Sequence, residues 1–175
     1  TCLFYMFRMS SISKQQIKKF KSIVIGCDHA AVDLKNSVVT FIKSKKKGIK
    51  ICDVGVHDKT SVDYPDMARK VCLPVKQGTY DAGIVLCGTG IGISIAANKV
   101  PTIRCALCHD HFTAQVCREH NDANVLALGG RTTGKELALD IVDTFLETPF
   151  SGVDRHQRRI NKIEADFEES DSNEQ

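Results

Sequence analysis

Asp81-Ala82-Gly83-Ile84-Val85-Leu86-Cys87-Gly88-Thr89-Gly90-Ile91-Gly92-Ile93-Ser94 reads as a buried strand, a glycine loop and the start of a helix. Ile84, Val85 and Leu86 form a continuous apolar run, which suits the central strand of a parallel sheet covered on both faces. Gly88, Gly90 and Gly92 let the backbone turn sharply, approach a ligand and aim successive N–H groups at an anion. Ile91 to Asn98 then reads as a helix whose N-terminus favours negative charge. A thiol there is expected to ionise below the ordinary ~8.5, as a base or nucleophile usable near neutrality.

Spacing removes two familiar loops. A dinucleotide fingerprint needs G-x-G-x-x-G, but here the third glycine comes one residue early, and no acid ends the strand Ile103 to Leu107. A phosphocysteine loop needs an arginine six residues after the cysteine, and that position is Ile93. The remaining alternative is a tight turn holding an inert buried thiol.

With 175 residues the chain has room for one domain with a real core, and a formal charge of +3 is too small to imply nucleic acid. Lys14, Lys18, Lys19 and Lys21, and again Lys43, Lys45, Lys46 and Lys47, lack interleaved aromatics and read as solvated helix faces. Eight cysteines scattered through apolar segments fit a reducing compartment, with no disulfides and a cytoplasmic location. Leu3 to Phe7 is too brief to span a bilayer. The Ser- and Lys-rich start also fits an organelle transit segment, although an extension with Met9 as the working start is the preferred reading. Residues 1–21 are expected to be a poorly ordered extension, 22–163 the domain, and 164–175 an acidic tail.

Inside those limits strand and helix alternate. Strands are expected at Ser22 to Gly26, Ile49 to Val54, Ala82 to Leu86, Ile103 to Leu107 and Asn124 to Leu128. Helices are expected at Ala30 to Lys47, Pro65 to Gln77, Ile91 to Asn98, Asp110 to Arg118 and Thr133 to Phe145, with a last one starting near Asp154. Five βα units build an open three-layer α/β/α domain around a five-stranded parallel sheet, with ligands beyond the strand C-termini.

Polar clusters of the sequence fall at that edge. Gly26-Cys27-Asp28-His29 ends the first strand, where Asp28 is either a helix N-cap or a ligand residue. Tyr64 is either helix-entry packing or a pocket border. His120 and Asn121 enter the fifth strand and are read as lying at the ligand edge, Asn121 alternatively as a helix terminator. Gly129-Gly130-Arg131 ends that strand. Arg155 and Arg159 share one helical face, a spacing that grips one phosphate. Cys105, Cys108, His109, Asp110 and His111 are dense enough to suggest metal, but His109 and His111 diverge on a helix start, so no metal is expected. Cys105 and Cys108 have C-x-x-C spacing without the context of a redox motif.

Taken in order, Gly26-Cys27-Asp28-His29, Asp63-Tyr64-Pro65, Cys87 to Lys99, Arg118 to Asn124, Gly130-Arg131 and Arg155 to Arg159 resemble the ribose-5-phosphate isomerase B family, from Ile23 to about Ile163. The resemblance implies a Rossmann-like domain and a cofactor- and metal-free aldose–ketose isomerisation of ribose 5-phosphate through a cis-enediolate, in the non-oxidative pentose phosphate branch. It implies Cys87 as the base, since no acid lies from Gly88 to Lys99, and His120 as the acid that opens the sugar ring. The N–H groups of Gly88, Thr89, Gly90, Ile91 and Gly92 would stabilise the enediolate, at about 3 kcal/mol per donor in comparable oxyanion holes. Asp28, Tyr64 and Asn121 would meet the sugar, and His29, Arg131, Arg155 and Arg159 the phosphate. It further implies a homodimer, or a dimer of dimers, in which the C-terminal helix reaches a partner's site past Pro149 and Gly152. A six-carbon sugar phosphate, or a non-catalytic phosphosugar-binding module, is the alternative; no nucleic-acid or membrane partner is expected.

Overall fold

Every residue of the Ile84–Leu86 run is inaccessible to solvent, and the strand that holds it lies in the middle of the sheet. The computed structural model describes residues 20–165. In chain order it holds β1 (Ser22–Cys27), α1 (Val32–Lys45), β2 (Lys50–Asp53), α2 (Tyr64–Lys76), β3 (Ala82–Cys87), α3 (Ile91–Ala97), β4 (Cys105–Leu107), α4 (His111–Asn121), β5 (Val125–Gly129), α5 (Lys135–Glu147) and α6 (Asp154–Glu164). The sheet is parallel throughout, in the order β2-β1-β3-β5-β4. The expected α/β/α architecture with five parallel strands is therefore present. Residues 1–19 and 166–175, on which most of the expected extension and tail fall, lie outside the described residues.

Alternation along the buried strands feeds two cores. Ile25, Leu86 and Leu128 join Val38, Ile42, Ile141 and Phe145 of α1 and α5 on one face, with Ala114 of α4. Val24, Val85 and Cys87 join Met67 and Val71 of α2 and Ile93 of α3 on the other. Each large apolar side chain so buried contributes roughly 1.5–3 kcal/mol. The split has a functional consequence. The chain leaves β1 toward α1 on one face and β3 toward α3 on the other, and these strands are neighbours. Their C-terminal ends thus flank a crevice where the winding reverses, the place where sheets of this kind bind ligands.

Two boundaries differ from the sequence expectation for identifiable reasons. β4 starts at Cys105 and not Ile103, because the Arg104 N–H is taken by the Asn124 side chain at 2.9 Å. α4 runs three residues past Arg118. It opens on a reciprocal capping box between Asp110 and Thr113, and it ends on Asp122, which takes the left-handed conformation (φ 44°) with no glycine to advertise the stop.

Gly90 caps α3 at φ 77°, and a Cβ there would sit 2.5 Å from Leu107 Cδ1 and 2.9 Å from the Leu128 carbonyl carbon. Gly90→Ala is expected to cost about 2–4 kcal/mol through left-handed strain and this clash. Urea unfolding measures it, and an unchanged midpoint contradicts the turn.

Candidate active site

Cys87 is the last residue of β3, nearly buried, and its sulfur accepts the Gly90 N–H at 3.1 Å. Other thiols behave differently: Cys27 donates to the Val56 carbonyl and Cys108 to that of Ala106. Burial pushes the Cys27 thiol up to about 11 and that of Cys72 up to about 12. The loop around Cys87 is fixed by its neighbours. The Gly130 N–H donates to the Cys87 carbonyl at 2.8 Å and the Arg131 N–H to that of Gly88 at 2.9 Å. Arg131 lies against Gly88, where a Cβ would come 3.6 Å from its Cδ and Nε. The loop after β3 and the turn after β5 are thus one unit.

Side chains from β1 and the loop after β2 complete this half of the crevice. Asp28 is buried, and its N–H donates to the Leu86 carbonyl at 3.1 Å. Its carboxylate accepts the Ala30 N–H at 2.8 Å, so it forms an Asx-turn and is not the N-cap of α1, which is Ala31. His29 Nδ1 accepts the Val62 N–H at 3.3 Å, which leaves Nε2 as its donor when the ring is neutral. Tyr64 packs over Gly92 so closely that a Cβ on Gly92 would fall 2.7–2.9 Å from its ring and hydroxyl. Among the loop N–H groups, that of Gly90 is committed to the sulfur and that of Ile91 to Thr89 Oγ1 at 3.3 Å.

His120 and Asn121 are not at this edge, contrary to the sequence reading. They close α4, which leads into the start of β5, and Val125 there pairs with Gly83 while Gly129 pairs with Cys87. Four residue steps, about 13 Å of strand, separate the two ends. A helix that returns from one parallel strand to the next must finish at the N-terminal edge. Past Pro149 and Gly152 the chain packs back on its own domain. α6 docks on α4 through buried His156 and Ile160, and the Ser151 N–H donates to the Glu119 carbonyl at 3.1 Å. Arg155 and Arg159 are exposed on it, and the His120 and His156 rings lie 4.2 Å apart. A second cluster of two histidines, an amide and two guanidiniums therefore sits on the opposite edge from Cys87. An open cleft of about 650 Å³ lined by Thr102, Arg104, Asn121 and Glu164 also belongs to that far edge.

Sequence reasoning missed Lys35. It is wholly buried, with Nζ 2.8 Å from Asp53 Oδ2, 2.8 Å from the Val56 carbonyl and 3.4 Å from His57 Nδ1, and so ties α1 to the loop that holds His29. Its place between Val32 and Val38 on the apolar stripe was the available signal. Lys46, expected to be solvated, pairs with Asp143 and Glu147 at the end of α5. Among the described residues no group of three or more His, Cys, Asp or Glu side chains is gathered closely enough to hold a metal. Asp110 is occupied in capping, His111 faces Asp140, and Cys108 meets Cys117 at 3.8 Å and not Cys105. No helix among them is long and apolar enough to cross a membrane.

Known proteins resemble this chain in sequence and backbone. The profile described as Ribose/Galactose Isomerase matches residues 23–163. Ribose-5-phosphate isomerase B of Escherichia coli K12 is 45% identical over 145 residues, 83% of this chain and 95% of that protein. D-erythrulose-4-phosphate isomerase of Pectobacterium atrosepticum is also 45% identical, over 133 residues, 75% of this chain and 86% of that protein. The structure of Clostridium thermocellum ribose-5-phosphate isomerase B superimposes with a TM-score of 0.78 at 54% identity, covering 82% of this chain and 95% of that one. Profile, sequence and backbone agree over the same stretch that carries the thiol loop and the two arginines of α6: the chain belongs to the Ribose/Galactose Isomerase family and is a sugar phosphate isomerase.

Proposed function

We propose that the chain interconverts ribose 5-phosphate and ribulose 5-phosphate through a cis-enediolate, with Cys87 as base, in sites shared between two copies of the chain. The observation that carries the chemistry is the Gly90 N–H directed at the Cys87 sulfur, the contact a thiolate takes, at the crevice where the winding of the sheet reverses. One face of the sugar lies over the thiolate, which removes the proton from C2 and returns it to C1. Charge that develops on the enediolate oxygens meets N–H groups of the glycine loop. Since those of Gly90 and Ile91 are engaged, the task falls on Gly88, Thr89 and Gly92. Asp28 and Tyr64 border the sugar, while His29 and Arg131 approach the phosphate from the same edge.

Ring opening needs an acid, and the His120 imidazole is suited to deliver a proton to the ring oxygen. Within one chain it lies the depth of the sheet away from Cys87, farther than one pentose phosphate reaches. The same holds for Asn121, Arg155 and Arg159. A second copy that presents its α4–α6 edge to this crevice supplies all four together, and a twofold arrangement completes two equal sites. The E. coli relative named for ribose 5-phosphate supports this sugar, but the Pectobacterium relative is as similar in sequence and carries another substrate's name. Assays with ribose 5-phosphate, allose 6-phosphate and galactose 6-phosphate decide the substrate, and turnover of none of them favours a binding module.

Cys87→Ala is expected to lower kcat about 10³-fold, in the range of a lost general base, with sugar phosphate affinity nearly unchanged. Turnover within tenfold of the parent refutes the assignment. A stricter check mixes Cys87→Ala chains with His120→Asn chains. In a mixed dimer one site carries both lesions and the other neither. Random exchange of equal amounts makes half of the dimers mixed, so activity returns to about a quarter of the parent's. No recovery after demonstrated exchange places the acid and base in one chain.

A further inference from the structure

Between α4 and α6 lies an imidazole that the proposed reaction does not use. His156 is 4% exposed, while His120, Arg155 and Arg159 around it reach solvent. Its Nδ1 lies 2.9 Å from Ser151 Oγ and 3.3 Å from the Glu119 carbonyl. On the far side of the ring, Nε2 accepts the Nε–H of Arg155 at 3.1 Å. Its face rests against the His120 ring, with centroids 4.2 Å apart and planes tilted by 49°.

These contacts leave one protonation state. A guanidinium only donates, so Nε2 carries no proton; the Glu119 carbonyl only accepts, so Nδ1 carries one. Burial, helped by His120 and by the guanidiniums of Arg155 and Arg159, pushes His156 below the ordinary histidine range, in keeping with a neutral ring. The two ends of the ring then do different work. The Nδ1 end ties α6 to the end of α4 and to the turn before α6, a structural duty. The Nε2 end meets Arg155 and the ring face meets His120, both assigned above to substrate.

We propose that His156 is a positioning residue, which holds the Arg155 guanidinium and the His120 ring as one preassembled unit for the phosphate and the ring oxygen of the sugar. This rests on the reading that Arg155 and His120 serve a partner's site. Arginine is a long side chain whose ordering opposes binding, and a guanidinium already held by His156 loses less freedom when phosphate arrives. The face contact with His120 sets the plane in which that ring offers its proton.

Two substitutions separate the ends of the ring. His156→Asn keeps an amide near Nδ1 and removes the acceptor at Nε2 with the ring face. His156→Gln keeps an acceptor near Nε2. With ribose 5-phosphate as substrate, His156→Asn is expected to raise KM about three- to tenfold, the range for one newly mobile long side chain. His156→Gln should keep KM within twofold of the parent. In an Arg155→Ala background, His156→Asn should raise KM no further. Equal KM effects of Asn and Gln, or a rise that persists without Arg155, overturn the proposal, as does a fall in Tm with KM unchanged. Arg155→Ala with an unchanged KM defeats the phosphate assignment itself, and the proposal with it. A readout independent of activity is the ¹⁵N imidazole spectrum at neutral pH. It should show His156 with a protonated Nδ1 and a bare Nε2, and either the other tautomer or an imidazolium refutes the arrangement.

Discussion

β3 offers no side chain to solvent on either face, and this constraint governs the rest of the molecule. A strand so enclosed can do chemistry only where it ends. Its last residue is Cys87, and everything beyond is arranged so that the backbone can turn away immediately. Gly90 takes a left-handed conformation, Gly129 closes against Thr89 of the loop and Gly130 against Ala30 and Ala31, and the carbonyls of Cys87 and Gly88 are taken by the turn after β5. The thiol is thereby held between two strand ends with an N–H on its sulfur. Packing on both faces of the sheet is what makes that geometry stiff.

The order of the strands adds the second ingredient. β1 and β3 are adjacent, yet their helices depart to opposite faces, so Asp28 and His29 open onto the same crevice as the thiol loop. Lys35 is part of the same logic. Its buried ammonium would be costly without partners, but Asp53 and the Val56 carbonyl meet it, and the loop that bears Val62 is pinned in the process. Removal of either charge alone would leave the other stranded.

Much of this is legible in the sequence. The apolar run Ile84–Leu86, the three glycines and the even alternation of strand and helix specify a parallel sheet with a ligand edge, and the motif order specifies the family. The placement of His120 and Asn121 was legible too, and was misread. Residues that precede a strand of a parallel sheet lie at the edge opposite those that follow one, whatever their chemistry suggests. Other features were hidden for physical reasons. Asp122 ends α4 in a conformation usually left to glycine. Lys35 and His156 look like solvated polar residues because their partners, Asp53 and Val56 for one and Glu119 for the other, are far away in sequence.

The thickness of the sheet between the Cys87 loop and the α4–α6 cluster also bears on how such a protein changes over generations. Side chains that far apart, without shared partners, contribute to stability almost independently. The strand tips can therefore drift without disturbing the docking of α6, and α6 can drift without loosening the glycine loop. In the proposed pairing of two copies the same edges meet, so a graft of one edge from a relative, although its own fold accepts it, must still suit the other edge across the pair.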